Sequence, residues 1–218
     1  MELLYFDNCI AVCVKPAGML STDAPGGAPE ALRAHLGEPA ATVCTVHRLD
    51  RVAGGLLLLA RSKQAAAALG KQVMDGRFTK SYLAVVHGAP DAESGTFTDL
   101  LRRDRRECKT YIAPAPAKDV REAVSDYALV ACADGLSLLR ITLRTGRTHQ
   151  IRAQFSHHGL PLVGDRKYGT LTDGDTPLAL WSHALGFFHP ETGERMDFTL
   201  PPPQTWPWTA FAGKEDAP

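Results

Sequence analysis

The sequence predicts an α+β fold in which a mixed, largely antiparallel central sheet is flanked by helices. Three observations lead there. Strand-like segments outnumber helical ones and are not regularly interleaved with them, which disfavours a doubly wound parallel sheet. Glycine or charged turns join many of the strand candidates. The few helical segments carry their own start and stop residues. No internal repeat or linker divides the 218 residues, a length sufficient for a real core. One domain over 1–218 is therefore expected, with 201–218 as a C-terminal tail after Pro201-Pro202-Pro203.

Residues 9–14 form an apolar run that reads as a buried strand, ending in the Lys15-Pro16-Ala17-Gly18 turn. A Pro- and Gly-rich loop over 21–30 leads to a short helix near Pro29 to Leu36. Residues 43–46 read as a brief strand, and Leu56 to Ala60 as another apolar one. Ser62 is a candidate N-cap for an Ala-rich helix reaching about Asp75 and closed by Gly76. Lys80 to Val86 alternates and is rich in β-formers. Further strands are expected at 95–99, 108–113, 123–131 and 136–143. Thr148 is a plausible cap for a helix that stops at Gly159. The last strands fall near 182–188 and 195–200, split by Pro190-Glu191-Thr192-Gly193.

Composition narrows the function classes. Apolar residues make up 44% and charged residues 22%, as in an ordinary globular protein. No apolar run approaches a membrane span, and the N-terminus lacks a signal peptide's basic start and apolar core; a cytoplasmic protein is expected. Five cysteines at scattered spacing, with no Cys-x-x-Cys pair, predict reduced and mostly buried thiols. Several histidines offer metal ligands. However, the adjacent His157 and His158 point to different helix faces, and no His-x-x-x-His pair with a partnering Glu occurs. No metal is expected. Net charge is zero, yet basic residues cluster at Arg102, Arg103, Arg105, Arg106 and Lys109. They cluster again at Arg140, Arg144, Arg147 and Arg152, followed by Arg166 and Lys167. A neutral chain with one basic face still binds nucleic acid.

Three segments carry the chemistry. In Val46-His47-Arg48-Leu49-Asp50-Arg51, an Asp sits between two arginines at a strand-to-loop junction, and Gly54-Gly55 follows. Nearby cations favour an ionised carboxylate, ready as nucleophile or base; a surface salt bridge is the plain alternative. In Lys80-Ser81-Tyr82-Leu83-Ala84, strand alternation puts Tyr82 on the face of Lys80 and Ala84. A tyrosine there can stack on a base and offer a hydroxyl, or simply fill a core. Arg144-Thr145-Gly146-Arg147-Thr148-His149-Gln150-Ile151-Arg152 reads as strand, glycine turn and helix start, a place that attracts phosphates. Ile151 and Phe155 share one helix face, and His149 and Arg152 another.

Taken together, these segments resemble the RluA-type family of pseudouridine synthases. The family's His-Arg-Leu-Asp-Arg-x-x-x-Gly pattern matches 47–55, its Lys-x-Tyr-x-Ala-x-Val-x-Gly strand 80–88, and its Thr-Gly-Arg-Thr-His-Gln-Ile-Arg helix start 145–152. Lys15-Pro16-Ala17-Gly18 and a Gly-x-Pro-x-x-Gly-Asp-x-x-Tyr-Gly pattern at Gly159 to Gly169 also fit, all in the family's order. Two departures stand out. Ala53-Gly54 replaces the usual Thr-Ser, and Gln154 stands where a histidine is usual.

The resemblance implies a pseudouridine synthase catalytic domain that isomerises uridines in ribosomal or transfer RNA without a cofactor. It implies Asp50 as the catalytic carboxylate and Arg152 as its ion-pair partner. Tyr82 would stack on the base and help remove the carbon 5 proton. Arg48 would fill the gap left in the RNA. Arg147, near the helix start, is our own choice for a phosphate contact. The family's frequent N-terminal RNA-binding domain is not expected, since the pattern begins almost at residue 1, and a monomer is the expected state. The rival reading is a catalytically inactive RNA-binding protein of the same fold. Retention of Asp50, Tyr82 and Arg152 together argues against it.

Overall fold

The structure, a computed structural model, describes residues 1–169 and 173–214. The chain forms two compact units. The first comprises Met1–Lys80 and Trp181–Leu200; the second comprises Ser81–Leu180 and the segment from Pro201 onward.

In the first unit, β1 (Glu2–Phe6), β2 (Ile10–Lys15), β3 (Cys44–Thr45), β4 (Gly54–Ala60), β10 (Leu180–Phe188) and β11 (Arg195–Thr199) are joined by α1 (Ala28–Leu36) and α2 (Lys63–Met74). β2 lies antiparallel to both β1 and β4, and β10 antiparallel to β11. One short parallel ladder, Gly54 to Trp181 and Gly55 to Ser182, ties β4 to β10. The all-apolar reading of β2 and β4 holds because both faces of these strands are covered: every residue of β4 is buried. Ile10, Val12, Leu56, Leu58, Leu185 and Phe187 pack there with Ala65 and Leu69 of α2. Each such fully buried aliphatic or aromatic side chain contributes about 1.5–3 kcal/mol. Ser62 caps α2 as the sequence predicts, its hydroxyl accepting the Ala65 N–H at 3.0 Å.

In the second unit, β5 (Thr79–His87), β9 (Leu136–Leu143), β8 (Val120–Ala133), β6 (Ser94–Asp104) and β7 (Lys109–Ile112) follow one another across an antiparallel sheet. α3 (Gln150–His157) packs on β6 and β7. Phe155 of α3 meets Phe97 and Tyr127 edge-on, at ring separations of 5.1 and 6.1 Å. Ile151 and Phe155 share the buried face as expected. A single-turn 3-10 helix, Trp208–Phe211, buries both of its terminal aromatics. Residues 215–218 of the expected tail lie outside the described residues. Among the described residues, no helix is long and apolar enough to cross a membrane.

Three local expectations give way. β1 is not anticipated, because its alternating half-exposed residues make a weak strand signal. α3 starts two residues beyond Thr148: His149 takes a left-handed conformation (φ 56°) and stands as the N-cap residue. The cysteines are free but not mostly buried. Cys13 is buried, whereas Cys108 and Cys132 are exposed. Cys108 sits in the β6–β7 turn with φ 50°, where a turn geometry overrides the residue's usual preference for the interior.

Candidate active site

Asp50 sits in the loop between β3 and β4, and this loop is held from below. The Ala53 N–H donates to the Asp50 carbonyl at 3.1 Å, closing a β-turn over Arg51 and Val52. Leu49 is buried, and the Ser21 hydroxyl bonds both its N–H and its carbonyl, each at 3.0 Å. The Gly18 N–H donates to the Arg51 carbonyl at 2.7 Å, and the Arg51 Nε donates to the Gly18 carbonyl at 2.8 Å. Arg48 points outward and is exposed; Asp50 is half-buried.

Beneath the loop lies Lys15, which the sequence marks as part of a turn and of the Lys-Pro-Ala-Gly match, with no role of its own. It has no exposed surface, and its ammonium donates to the carbonyls of Pro16 (3.0 Å), Met19 (2.9 Å) and Arg51 (3.3 Å). Burial pushes its pKa down to about 8, while the negative charge of Asp50 pulls it back up. At neutral pH the lysine therefore stays cationic under the Asp50 loop. Its sequence signals are the Lys-Pro-Ala-Gly match and a charged residue ending an otherwise apolar strand, and neither predicts burial.

His47, the residue before Arg48, is a packing residue. It is buried against Phe78, and its Nε2 accepts the Leu58 N–H at 3.1 Å. Burial holds its pKa down to about 3, with the charge of Lys80 adding to the effect. The depressed pKa makes stability pH-dependent: between 6.5 and 3 the unfolded chain binds a proton that the folded chain refuses, so stability falls as pH falls. Denaturant titrations from pH 7 to 4 are expected to show this loss. His47→Gln is expected to flatten it, and an unchanged slope would place the acid sensitivity elsewhere.

The glycines after Asp50 have distinct reasons. Gly55 adopts φ +111°, and a Cβ there would lie 2.4 Å from the Ser182 carbonyl oxygen. A Cβ on Gly54 would lie 2.5 Å from the Trp181 ring. The departure from Ser at 54 is thus matched by the bulk of Trp181. Gln154, the other departure, has no exposed surface and is fully engaged. Its carbonyl accepts from Ser125 at 2.7 Å, and its amide donates to Asp99 at 2.7 Å and to the Phe97 and Ala123 carbonyls.

In the second unit, Tyr82 is buried on β5 opposite Ile141. Arg152, in the first turn of α3, is buried and grips Asp165 with two parallel bonds, Nε to Oδ2 and Nη2 to Oδ1, each 2.7 Å. Burial opposes ionisation of Asp165. The Arg152 hydrogen bonds and charge, with the Lys167 and Tyr168 N–H groups, overcome this and lower its pKa. His149 stands outside α3, so the expected shared helix face is not formed, yet both residues meet Tyr168: His149 Nδ1 lies 2.9 Å from its hydroxyl, and the Arg152 guanidinium 5.2 Å from its ring centre. Asp165 was not singled out from the sequence beyond its place in the Gly-Asp-x-x-Tyr-Gly match.

The second basic cluster is not one open face. Arg144 pairs with Asp126 at 2.6 Å and Arg166 with Asp175 at 2.8 Å, and Arg152 is buried. Neighbouring acids consume these charges. Arg147 remains exposed, its Nε donating to the Glu122 carbonyl at 2.9 Å. The first cluster is different: Arg102, Arg103, Arg105 and Arg106 are all exposed along the β6–β7 hairpin. A cleft lined by Lys109, Tyr111, Ser156, His157 and Tyr168 adjoins it.

Asp7, Cys9 and His189 bring ligand atoms within 4.8 Å of one another. Their protons are already assigned, however. His189 Nδ1 receives the N–H groups of Glu191 and Thr192, so the ring proton sits on Nε2, 2.9 Å from Asp7 Oδ2. Cys9 donates to Glu191 at 2.9 Å, and that carboxylate raises the thiol pKa to about 11. The cluster reads as a hydrogen-bonded tie.

The fold holds a carboxylate-bearing turn seated on a buried lysine and, elsewhere, a Gly-Arg-Thr-His-Gln-Ile-Arg helix start, two of the segments on which the resemblance to uridine-isomerising RNA enzymes rests. Known proteins agree. A family model described as RNA pseudouridylate synthase matches residues 10–157. A protein described as uncharacterized RNA pseudouridine synthase YlyB, of Bacillus subtilis, is 33% identical over 214 residues, covering 94% of this chain and 70% of that protein. Ribosomal large subunit pseudouridine synthase D of Xanthomonas campestris is 32% identical over 239 residues, covering 100% of this chain and 70% of that protein. The solved structure of human RNA pseudouridylate synthase domain containing 1 shares the fold. It has a TM-score of 0.76 at 22% identity, covering 94% of this chain and 84% of that one. The chain belongs to the RNA pseudouridylate synthase family, and within it to the RluA type. It is an isomerase that converts uridine in RNA to pseudouridine.

Proposed function

We propose that Asp50 is the catalytic carboxylate of this isomerisation and that the substrate is a uridine in ribosomal or transfer RNA. The names of the relatives called ribosomal large subunit pseudouridine synthase D favour ribosomal RNA. The observation that carries the reading is the Asp50 turn, half-buried and fixed at both ends, with the Lys15 cation beneath it. Such a turn presents one carboxylate in a constant orientation, which nucleophilic or base chemistry needs.

The reaction breaks the bond between ribose C1′ and uracil N1 and forms one between C1′ and C5. The C5 proton leaves and N1 gains one. The target base must first leave its stack. Arg48, which is exposed, fills the space the base vacates in this reading. Tyr82, largely enclosed, serves as a fixed wall for the base, and its hydroxyl as an acceptor in the C5 proton transfer. Arg152, at the Gln-Ile-Arg position of the family pattern, serves with Asp50 as a catalytic residue. Arg147 and the arginines of the β6–β7 hairpin meet phosphates, a contact that needs no base sequence. The enzyme works as a monomer in the cytoplasm, without a cofactor.

Tritium release from RNA labelled at uridine C5 tests the proposal, because that bond breaks only when the base rejoins through C5. Ribosomal and transfer RNA from cells lacking the protein are expected to release label, and the active fraction names the substrate class. Failure of both fractions would remove the proposed substrates and favour a binding protein.

A further inference from the structure

The seat of Arg152 is built more strongly than a helix surface requires. The Asp165 side chain has 0% exposure and that of Arg152 has 6%, so their fork of two 2.7 Å bonds is shielded from water. The carboxylate is itself anchored, since Asp165 Oδ1 accepts the N–H groups of Lys167 at 2.9 Å and Tyr168 at 3.0 Å. The turn behind it is closed by the Gly169 N–H to the Asp165 carbonyl at 2.7 Å. A Cβ on Gly169 would lie 2.7 Å from that same oxygen, so the turn is packed to its limit. Tyr168 then lies against the guanidinium face. Its hydroxyl, bonded by the Thr110 N–H at 2.7 Å and beside His149 Nδ1, keeps the ring from swinging away.

A buried ion pair is poor evidence of stabilisation, because desolvating two charges offsets their attraction. What this pair does secure is geometry. The two-point fork fixes the guanidinium plane, and the ring closes off one side of it. An arginine otherwise carries about 2 kcal/mol of rotamer freedom.

We infer that Asp165 is a positioning residue for the isomerisation: with Tyr168 it sets the plane and reach of the Arg152 guanidinium, and its influence on the reaction passes through Arg152. This rests on the proposed role of Arg152.

The test is a double-mutant cycle on the full chain, read by single-turnover tritium release and by thermal melting. Asp165→Asn keeps the side-chain volume but breaks the charged fork. It is expected to lower kcat about 10- to 100-fold, the cost of a small misplacement, with KM for RNA within about two-fold. Arg152→Lys offers a point charge that no fork can orient. It is expected to be slow, and adding Asp165→Asn to it is expected to slow it no further, since the partner being positioned is gone. A purely structural role for Asp165 would instead give losses that multiply. That result, or a normal kcat for Asp165→Asn, overturns the inference while leaving Arg152 in its role. A normal kcat for Arg152→Lys would remove the role of Arg152 and the inference with it. If Asp165→Asn shows no cooperative melt, Tyr168→Leu takes its place in the cycle. It removes the ring and leaves the carboxylate, and the same non-additivity is expected; multiplying losses overturn the inference.

Discussion

Asp50→Asn is expected to abolish pseudouridine formation while leaving the fold and RNA binding nearly intact. The substitution keeps the shape of the side chain and removes its capacity to attack or to accept a proton. Loss of such a group costs on the order of 10⁴-fold or more in rate, about 5 kcal/mol of transition-state stabilisation. The fold is spared because the loop is anchored through other groups: the Ser21 hydroxyl to Leu49, and the Gly18 N–H and Lys15 ammonium to the Arg51 carbonyl. Melting temperature, RNA affinity and tritium release measured on one preparation separate these effects. Turnover by a clean Asp50→Asn sample would end the case for Asp50 as the central group.

Gly55→Ala is expected to cost most in stability. Two penalties coincide at this residue. Its φ of +111° is one that side-chain-bearing residues rarely adopt, a strain of about 1–3 kcal/mol. The new Cβ would also fall 2.4 Å from the Ser182 oxygen and 2.6 Å from its nitrogen, both main-chain atoms of β10. Overpacking against backbone costs another 1–3 kcal/mol or so. Together they predict about 4 kcal/mol, on the order of 10 °C in melting temperature for a chain of this size. Gly55 also pairs with Lys15 on the other side of β4, so a shift there displaces the lysine under the Asp50 loop. Activity is expected to fall with stability. Calorimetry showing a wild-type transition for Gly55→Ala would mean that β4 and β10 separate at little cost.

The parts of this protein that were legible in its sequence are those written in short range. The Ser62 cap, the apolar β2 and β4, the Pro190–Gly193 turn and the shared face of Ile151 and Phe155 all follow from spacing within a few residues. What escaped depends on partners far along the chain. Asp165 meets Arg152 across a loop with no periodicity to betray it. Lys15 is buried because three carbonyls from two loops converge on it, and a lysine at a strand end carries no such message. The basic stretch around Arg144 and Arg166 looked open because Asp126 and Asp175, which neutralise it, are remote or unremarkable in sequence. The roles of Asp50, Tyr82, Arg48, Arg147 and Arg152 were legible only through the family pattern, since charge and spacing alone left plainer readings open.

The fit between Gly54 and Trp181 couples two positions far apart in the chain. A Cβ on residue 54 would lie 2.5 Å from the indole, so a serine there and the present ring cannot both keep their places. Editing the loop back to the family's serine therefore calls for a smaller residue at 181 in the same variant. The two positions behave as one unit of design, and neither is free to change alone.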